Sequence, residues 1–341
     1  MALVPLGINY FIKLGRDMWK FFTTKEYALW SYVGGITILL SIWATVQIDV
    51  QINEVFGSIY NGLQKALSAP NAITAEEFYS PFLEFAYLAA IYVVINVVFN
   101  GFLVNHYCFR WRQSMAQYYH ENWGKAREIE GASQRVQEDA LKLARLLENL
   151  GVGLIESALL LIAFIPILWE LSKNITEVPI LGEVDHALVW AVFLTSLLGT
   201  AILSAVGIKL PGIEFDIQKE EAAYRKELVF GEDNPNLATK EVVENLFEKV
   251  RKIHFKAYLH YFYFNTAKWS YLQGMVIVPY LILGPSIIAA GITLGVVSQT
   301  VRAFSKVAES LQYIIRSWLQ IVELISVYKR LRGFEKQIIS S

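Results

Sequence analysis

Charged residues are scarce in this chain. Asp, Glu, Lys and Arg make up only 18% of its 341 residues against 55% hydrophobic ones, and the mean hydropathy is positive, which excludes a disordered or strongly solvated chain and describes a membrane protein. No basic excess exists either: a net charge of −1 leaves nothing over to neutralise phosphates, so a nucleic-acid partner is excluded. Cysteine occurs once, as Cys108, which rules out a disulfide framework within the sequence. A GxxxxGK[ST] phosphate loop is missing, and "GIKLPGIE" from Gly207 lacks the lysine–hydroxyl pair that holds phosphate and magnesium. His106, His120, His186, His254 and His260 show no HExxH or other metal spacing, and no GxSxG elbow presents a nucleophile. No enzyme activity, cofactor or metal is expected.

What the chain has instead is long apolar runs. Residues 28–48 are uncharged, 85–109 contain only His106 as an ionisable group, 149–169 contain only Glu156, and 187–208 contain none. Each run is long enough to cross a hydrocarbon core of about 30 Å as a helix. Trp269 to Val301 is uncharged but too long for one span, with Pro279, Gly284 and Pro285 inside it. It reads as a fifth span, 269–288, turning near Ala289–Thr293 into an amphipathic sixth, 294–327, whose helix runs on to about Arg332. The fold class is thus an all-α membrane protein of six long helices, with residues 1–341 forming a single transport domain.

Orientation follows from lysine and arginine, which accumulate on the cytoplasmic side. The N-terminal flank holds Lys13, Arg16, Lys20 and Lys25 ahead of a run too long for a signal-peptide core. Residues 110–145 hold seven such cations, 209–256 nine and the tail from Lys329 four, while the opposite loops hold only Lys65 and Lys173. Both termini are expected in the cytoplasm. The two polar segments are short for independent cores and lack flexible linkers. They read as cytoplasmic extensions of the spans, turning near Gly124–Gly131 and near Gly231–Pro235.

The stretch "IEGASQRVQEDALKLARLLENLGVGLIESALLLIAF", from Ile129, is charged for several turns and then apolar. At 100° per residue, Glu138, Arg145, Asn149 and Glu156 fall within about 20° of one line, with Glu148 some 60° from Arg145. Such a stripe either lines a wet cavity running from cytoplasm to membrane depth or is a solvated face whose Glu156 pairs inside the bundle. A carboxylate in hydrocarbon costs roughly 2.5 kcal/mol or more, so Glu156 requires a partner or water. Burial also favours the protonated form of a carboxyl, as proton coupling demands. Glu214, Glu221 and Asp233 in "GIEFDIQKEEAAYRKELVFGED" form either a second polar lining or a surface helix laced with ion pairs. Trp111, Tyr118, Tyr119 and Trp123 offer sticky surfaces to a cavity, or interfacial anchors.

Four motifs in order, "FRWRQSMAQYYHENW", "IEGASQRVQEDALKLARLLENLG", "VGIKLPGIEFDIQKEEAAYRKELVFGED" and "SWLQIVELISVYKRLRGFE", resemble the SbmA/BacA family of bacterial inner-membrane peptide transporters. The resemblance runs from about Tyr60 to Glu335. It implies a fold like the membrane half of an ABC exporter without an ATPase, a domain-swapped homodimer, and proton-driven import of antimicrobial and other peptides by alternating access. It further implies a glutamate ladder for proton coupling at Glu138, Glu148, Glu221 and Glu232, with Arg135 and Arg330 as structural or cavity cations. Glu156 departs from the family pattern, where a neutral polar residue is expected. Two other readings stay open: the membrane subunit of an ATP-driven transporter whose ATPase is a separate chain, and a structural membrane protein affecting the envelope without transport. The expected partners are peptide substrates, protons, a second copy of the chain and membrane lipid.

Overall fold

A backbone in hydrocarbon must satisfy its own hydrogen bonds, and a chain this apolar does so with helices. The computed structural model of the chain describes residues 20–340 except 130, 174, 176–177, 180–181 and 235–236; Lys13, Arg16 and Pro235, and the side chain of Asp233, lie outside the described residues. Among the described residues five helices are long and apolar enough to cross a membrane: α1 (Leu29–Ser68), α2 (Ala75–Glu121), α3 (Ala132–Ser172), α4 (Ala187–Glu232) and α5 (Lys240–Ile288). After them come α6 (Leu294–Leu311) and α7 (Trp318–Ser340), with a single turn of helix at Tyr313–Arg316 between the two. Among the described residues the β contact is a lone bridge between Val178 and Gly182.

The sixth apolar segment expected over 294–327 is helical but interrupted, and Arg302, Lys306 and Glu309 keep α6 from matching the five in apolarity. The turn ahead of it is where the sequence puts it. α5 runs unbroken through Pro279, Gly284 and Pro285, ends at Ile288, and Ala290 takes the left-handed conformation before Thr293 caps α6 by accepting from the Val296 N–H. Thr74 and Glu77 form a reciprocal capping box that starts α2. The breaks between α2 and α3 and between α4 and α5 also fall near the expected positions: α2 ends at Glu121, Gly131 at φ 77° precedes α3, and α4 ends at Glu232 ahead of α5 at Lys240.

The chain forms two compact units, one built from α1–α3 with α6 and α7, the other from Trp190–Ile282. In the first, Ile48, Ile52, Val55 and Ile59 repeat at helical spacing along α1 and pack on Phe85, Leu88, Ile91, Tyr92 and Ile95 of α2. Further along, Ile38 and Ile42 meet Val104 and Cys108 of α2 and Val152, Ile155 and Leu159 of α3. The part of α1 level with the apolar window 85–109 is therefore about Ile38–Ile59. α1 and α6 approach closely: a Cβ on Gly295 would strike the Gly57 carbonyl oxygen and Asn61, and one on Gly57 would strike Gln299. Such glycine-mediated contacts let helices associate where lipid removes the hydrophobic drive. In the second unit Gly199 does the same for the Tyr271 ring and Gly207 takes the Phe264 ring.

A third cluster ties α2, α3 and α7 together beyond the apolar windows: Met115, Tyr118, Tyr119, Leu143, Leu146, Val327, Leu331, Phe334 and Ile338 are all buried in it. Tyr118 and Tyr119 thus serve neither as cavity surface nor as interfacial anchors. Both are core residues, Trp111 is half-buried and stacks on Phe21 at 5.8 Å, and only Trp123 of the four is exposed.

Candidate functional site

The sequence places Glu138 on the polar stripe of α3, but the structure turns its neighbour inward. A π turn at Arg135–Asp139 widens the helix and shifts its register. Asp139 is 1% exposed and accepts three hydrogen bonds: from Arg330 Nε at 3.0 Å, from Arg330 Nη2 at 2.7 Å and from Arg135 Nη1 at 2.8 Å. The paired, fork-like geometry from Arg330 is the strongest form of such a bond, and it holds the guanidinium above its ordinary pKa. Arg330 Nη1 also donates to Ser326 at 3.0 Å. The two arginines singled out in the sequence are thus brought together by an aspartate that was not: Arg330 fastens α7 to α3, and Arg135 braces the same carboxylate from within α3. The adjacent acids of "VQED" were the available signal; choosing between them required the π turn.

Glu138 faces outward, where it accepts from Lys142 at 2.9 Å and Gln134 at 3.2 Å in an i, i+4 arrangement. Exposed pairs of this kind stabilise by about 0.3–0.5 kcal/mol. Glu148, ten residues on, is half-buried; among the described residues it makes no ion pair, and the charge of Arg145 lies nearby. Just beyond it, Gly153 forms a notch that the Tyr313 ring fills, and the Tyr313 hydroxyl donates to the carbonyls of Asn149 and Leu150 at 3.2 Å. Glu156 is partly buried and electrostatically coupled to Lys306 and Asp49. Of these cationic and acidic neighbours, Asp49 was missed because it directly follows the uncharged run 28–48 and read as that run's boundary.

In the second unit, Glu221 lies 3.1 Å from His254 Nε2, linking α4 to α5, and both groups are substantially exposed. Glu214 accepts from the Tyr261 hydroxyl at 3.1 Å across the same helix pair. Glu232 is exposed at the end of α4. The four expected coupling glutamates therefore divide between the units, Glu138 and Glu148 in one, Glu221 and Glu232 in the other. None of the four is sealed from water.

The sequence pattern of the SbmA/BacA-like family matches residues 24–339. The chain belongs to that family. Three relatives carry the name ABC transporter ATP-binding protein. The inner membrane ABC transporter ATP-binding protein YddA of Escherichia coli (strain K12) is 25% identical over 98% of this chain and 62% of that protein. An uncharacterized ABC transporter ATP-binding protein, sll0182, of Synechocystis sp. is 21% identical over 92% of the chain and 47% of its own length. Another from Haemophilus influenzae is 22% identical over 88% of the chain and 53% of its own length. The chain spans about half to three-fifths of these relatives. Membership in the SbmA/BacA-like family and five membrane-length helices together make this a membrane protein of transporter type.

Proposed function

We propose that the chain imports peptides across the bacterial inner membrane, driven by the proton gradient, as a homodimer that exposes one cavity alternately to each side. The observation that carries this reading is the run of carboxylates down α3, from Glu138 at the cytoplasmic extension through Glu148 to Glu156 in the apolar window. Carboxylates are the groups that accept and release protons when their hydration changes. The family resemblance supplies the substrate class. In this reading six helices per copy, with both termini cytoplasmic, enclose the cavity only when two copies pair, and the separate α4–α5 unit is the element exchanged between them. Closed two-fold pairing is the commonest way for such a surface to be completed.

A second reading has a specific observation behind it. The relatives are named as ATP-binding proteins and are longer than this chain, which favours a membrane component working with an ATPase. One experiment separates the two. Purified protein in liposomes, given a labelled peptide and an imposed proton gradient but no ATP, should accumulate the peptide and stop when an ionophore collapses the gradient. Uptake that needs ATP and a co-purifying ATPase refutes the proton-driven reading.

A further inference from the structure

Four charges sit together inside the first unit, at the depth of the apolar windows. Asp49 of α1 is 7% exposed and accepts from Lys306 Nζ of α6 at 2.8 Å, with Arg302 Nη2 at 4.0 Å. Arg302 also lies 4.4 Å over the Phe56 ring. Glu156 of α3 lies within electrostatic reach of both Lys306 and Asp49, and Tyr92 of α2 within reach of both carboxylates. Asp49 falls midway along the Ile38–Ile59 stretch of α1 that is level with residues 85–109 of α2, so the cluster lies at membrane depth and not at its edge. Two cations balance two carboxylates, which is how charge is tolerated there.

Stability alone is a poor reason for this arrangement, because a buried ion pair adds little over an apolar packing of the same volume. Its surroundings are also unfinished. Among the described residues, Oδ1 of Asn53, which is one turn from Asp49 and 2% exposed, has no hydrogen-bond partner, and neither do Arg302 Nε and Thr300 Oγ1. Beside them a polar chain runs through the bundle: Ser41 donates to Asn100 at 2.8 Å, Asn100 to Asn96 at 3.2 Å, and Asn96 to the Tyr92 carbonyl at 3.2 Å, along a π-helical stretch of α2. Unpaired polar atoms and π turns at membrane depth are features of working sites.

We propose that Asp49 is an intramembrane proton-binding station, in which arrival of a proton breaks its ion pair with Lys306 and hands Lys306 to Glu156. This rests on the proton-driven reading above and adds to it a site on α1 and α6 outside the glutamate ladder. The proton enters from the acidic outer face, forms an O–H bond on an Asp49 carboxyl oxygen, and changes the cluster from neutral to a single positive charge. Its release to the cytoplasm restores the pair. Because α1 and α6 touch through Gly57 and Gly295, they move against each other only as packed bodies, so breaking the Asp49–Lys306 link biases one packing over another.

The test uses liposomes carrying the purified protein and a dye-labelled basic decapeptide as the probe. Two quantities are read: accumulation under an imposed proton gradient, and exchange of labelled for unlabelled peptide at equal pH without a gradient. Asp49→Asn should keep exchange within about twofold of wild type and lose accumulation at least tenfold. Because the single change strands Lys306, Asp49→Asn/Lys306→Gln is measured beside it and should likewise exchange without accumulating. Accumulation by either variant at the wild-type level overturns the proposal. So does loss of exchange in both, whether folded or misfolded, since the pair is then scaffold. Wild-type protein that exchanges but never accumulates overturns the proton-driven reading, and this inference with it, which the variants' results alone do not do.

Discussion

Replacing Asp139 with asparagine keeps the shape of the side chain and removes its charge. Asp139 is buried and receives three charge-assisted hydrogen bonds from two arginines. Bonds of that type are worth roughly 1.5–3 kcal/mol each when cut, and breaking a buried pair costs about 3–5 kcal/mol. The arginine side chains are 26% and 33% exposed, so water takes over part of their hydration and the lower end applies. An asparagine can accept from one guanidinium, but its amide donors then face the other. The expected loss for Asp139→Asn is therefore about 3 kcal/mol. It should be concentrated in α7, whose Val327, Leu331 and Phe334 pack on the same stretch of α3 that carries Asp139. Unfolding by SDS titration in mixed micelles, followed by circular dichroism, measures the total, and hydrogen exchange locates it in α7. A cycle with Arg330→Gln should return a coupling of about 1.5–3 kcal/mol, since these groups share one network. A loss below about 0.5 kcal/mol, with unchanged protection in α7, refutes the claim that this triad fastens the two helices.

Gly295→Ala should destabilise by about 1–3 kcal/mol because the new Cβ meets backbone that cannot swing away, whereas Gly153→Ala displaces only the Tyr313 ring and should cost nearer 1 kcal/mol through its lost hydrogen bonds. Equal effects in the same unfolding assay count against that distinction. Glu148→Gln should leave expression and folding near wild type while gradient-driven peptide uptake in liposomes falls at least tenfold; normal uptake returns Glu148 to a plain surface role. Glu221→Gln should change stability by no more than about 1 kcal/mol, as expected for an exposed pair with His254, so that any loss of uptake reports on transport. A larger destabilisation shows that Glu221 is structural.

The apolar runs determined the helices by themselves, because length and hydropathy suffice where lipid forbids other backbone structure. The turn at Ala289–Thr293 was legible because the uncharged run 269–301 is too long for one span, and the break near Gly131 because the polar segment there is too short for a core of its own. Motif order determined the family, and with it the interest in Glu138, Glu148, Glu221, Glu232, Arg135 and Arg330. What each of those side chains touches was decided only by tertiary packing. An ideal 100° step puts Glu138 on the stripe, but a π turn moves the register and buries Asp139 instead. Tyr118 and Tyr119 look alike in sequence to interfacial aromatics, and only the arrival of α7 on α2 makes them core. Asp49 and Lys306 are 257 residues apart, and no local pattern contains that distance. Local composition sets which segments leave water; the partner each buried charge finds there depends on helices brought together from opposite ends of the chain.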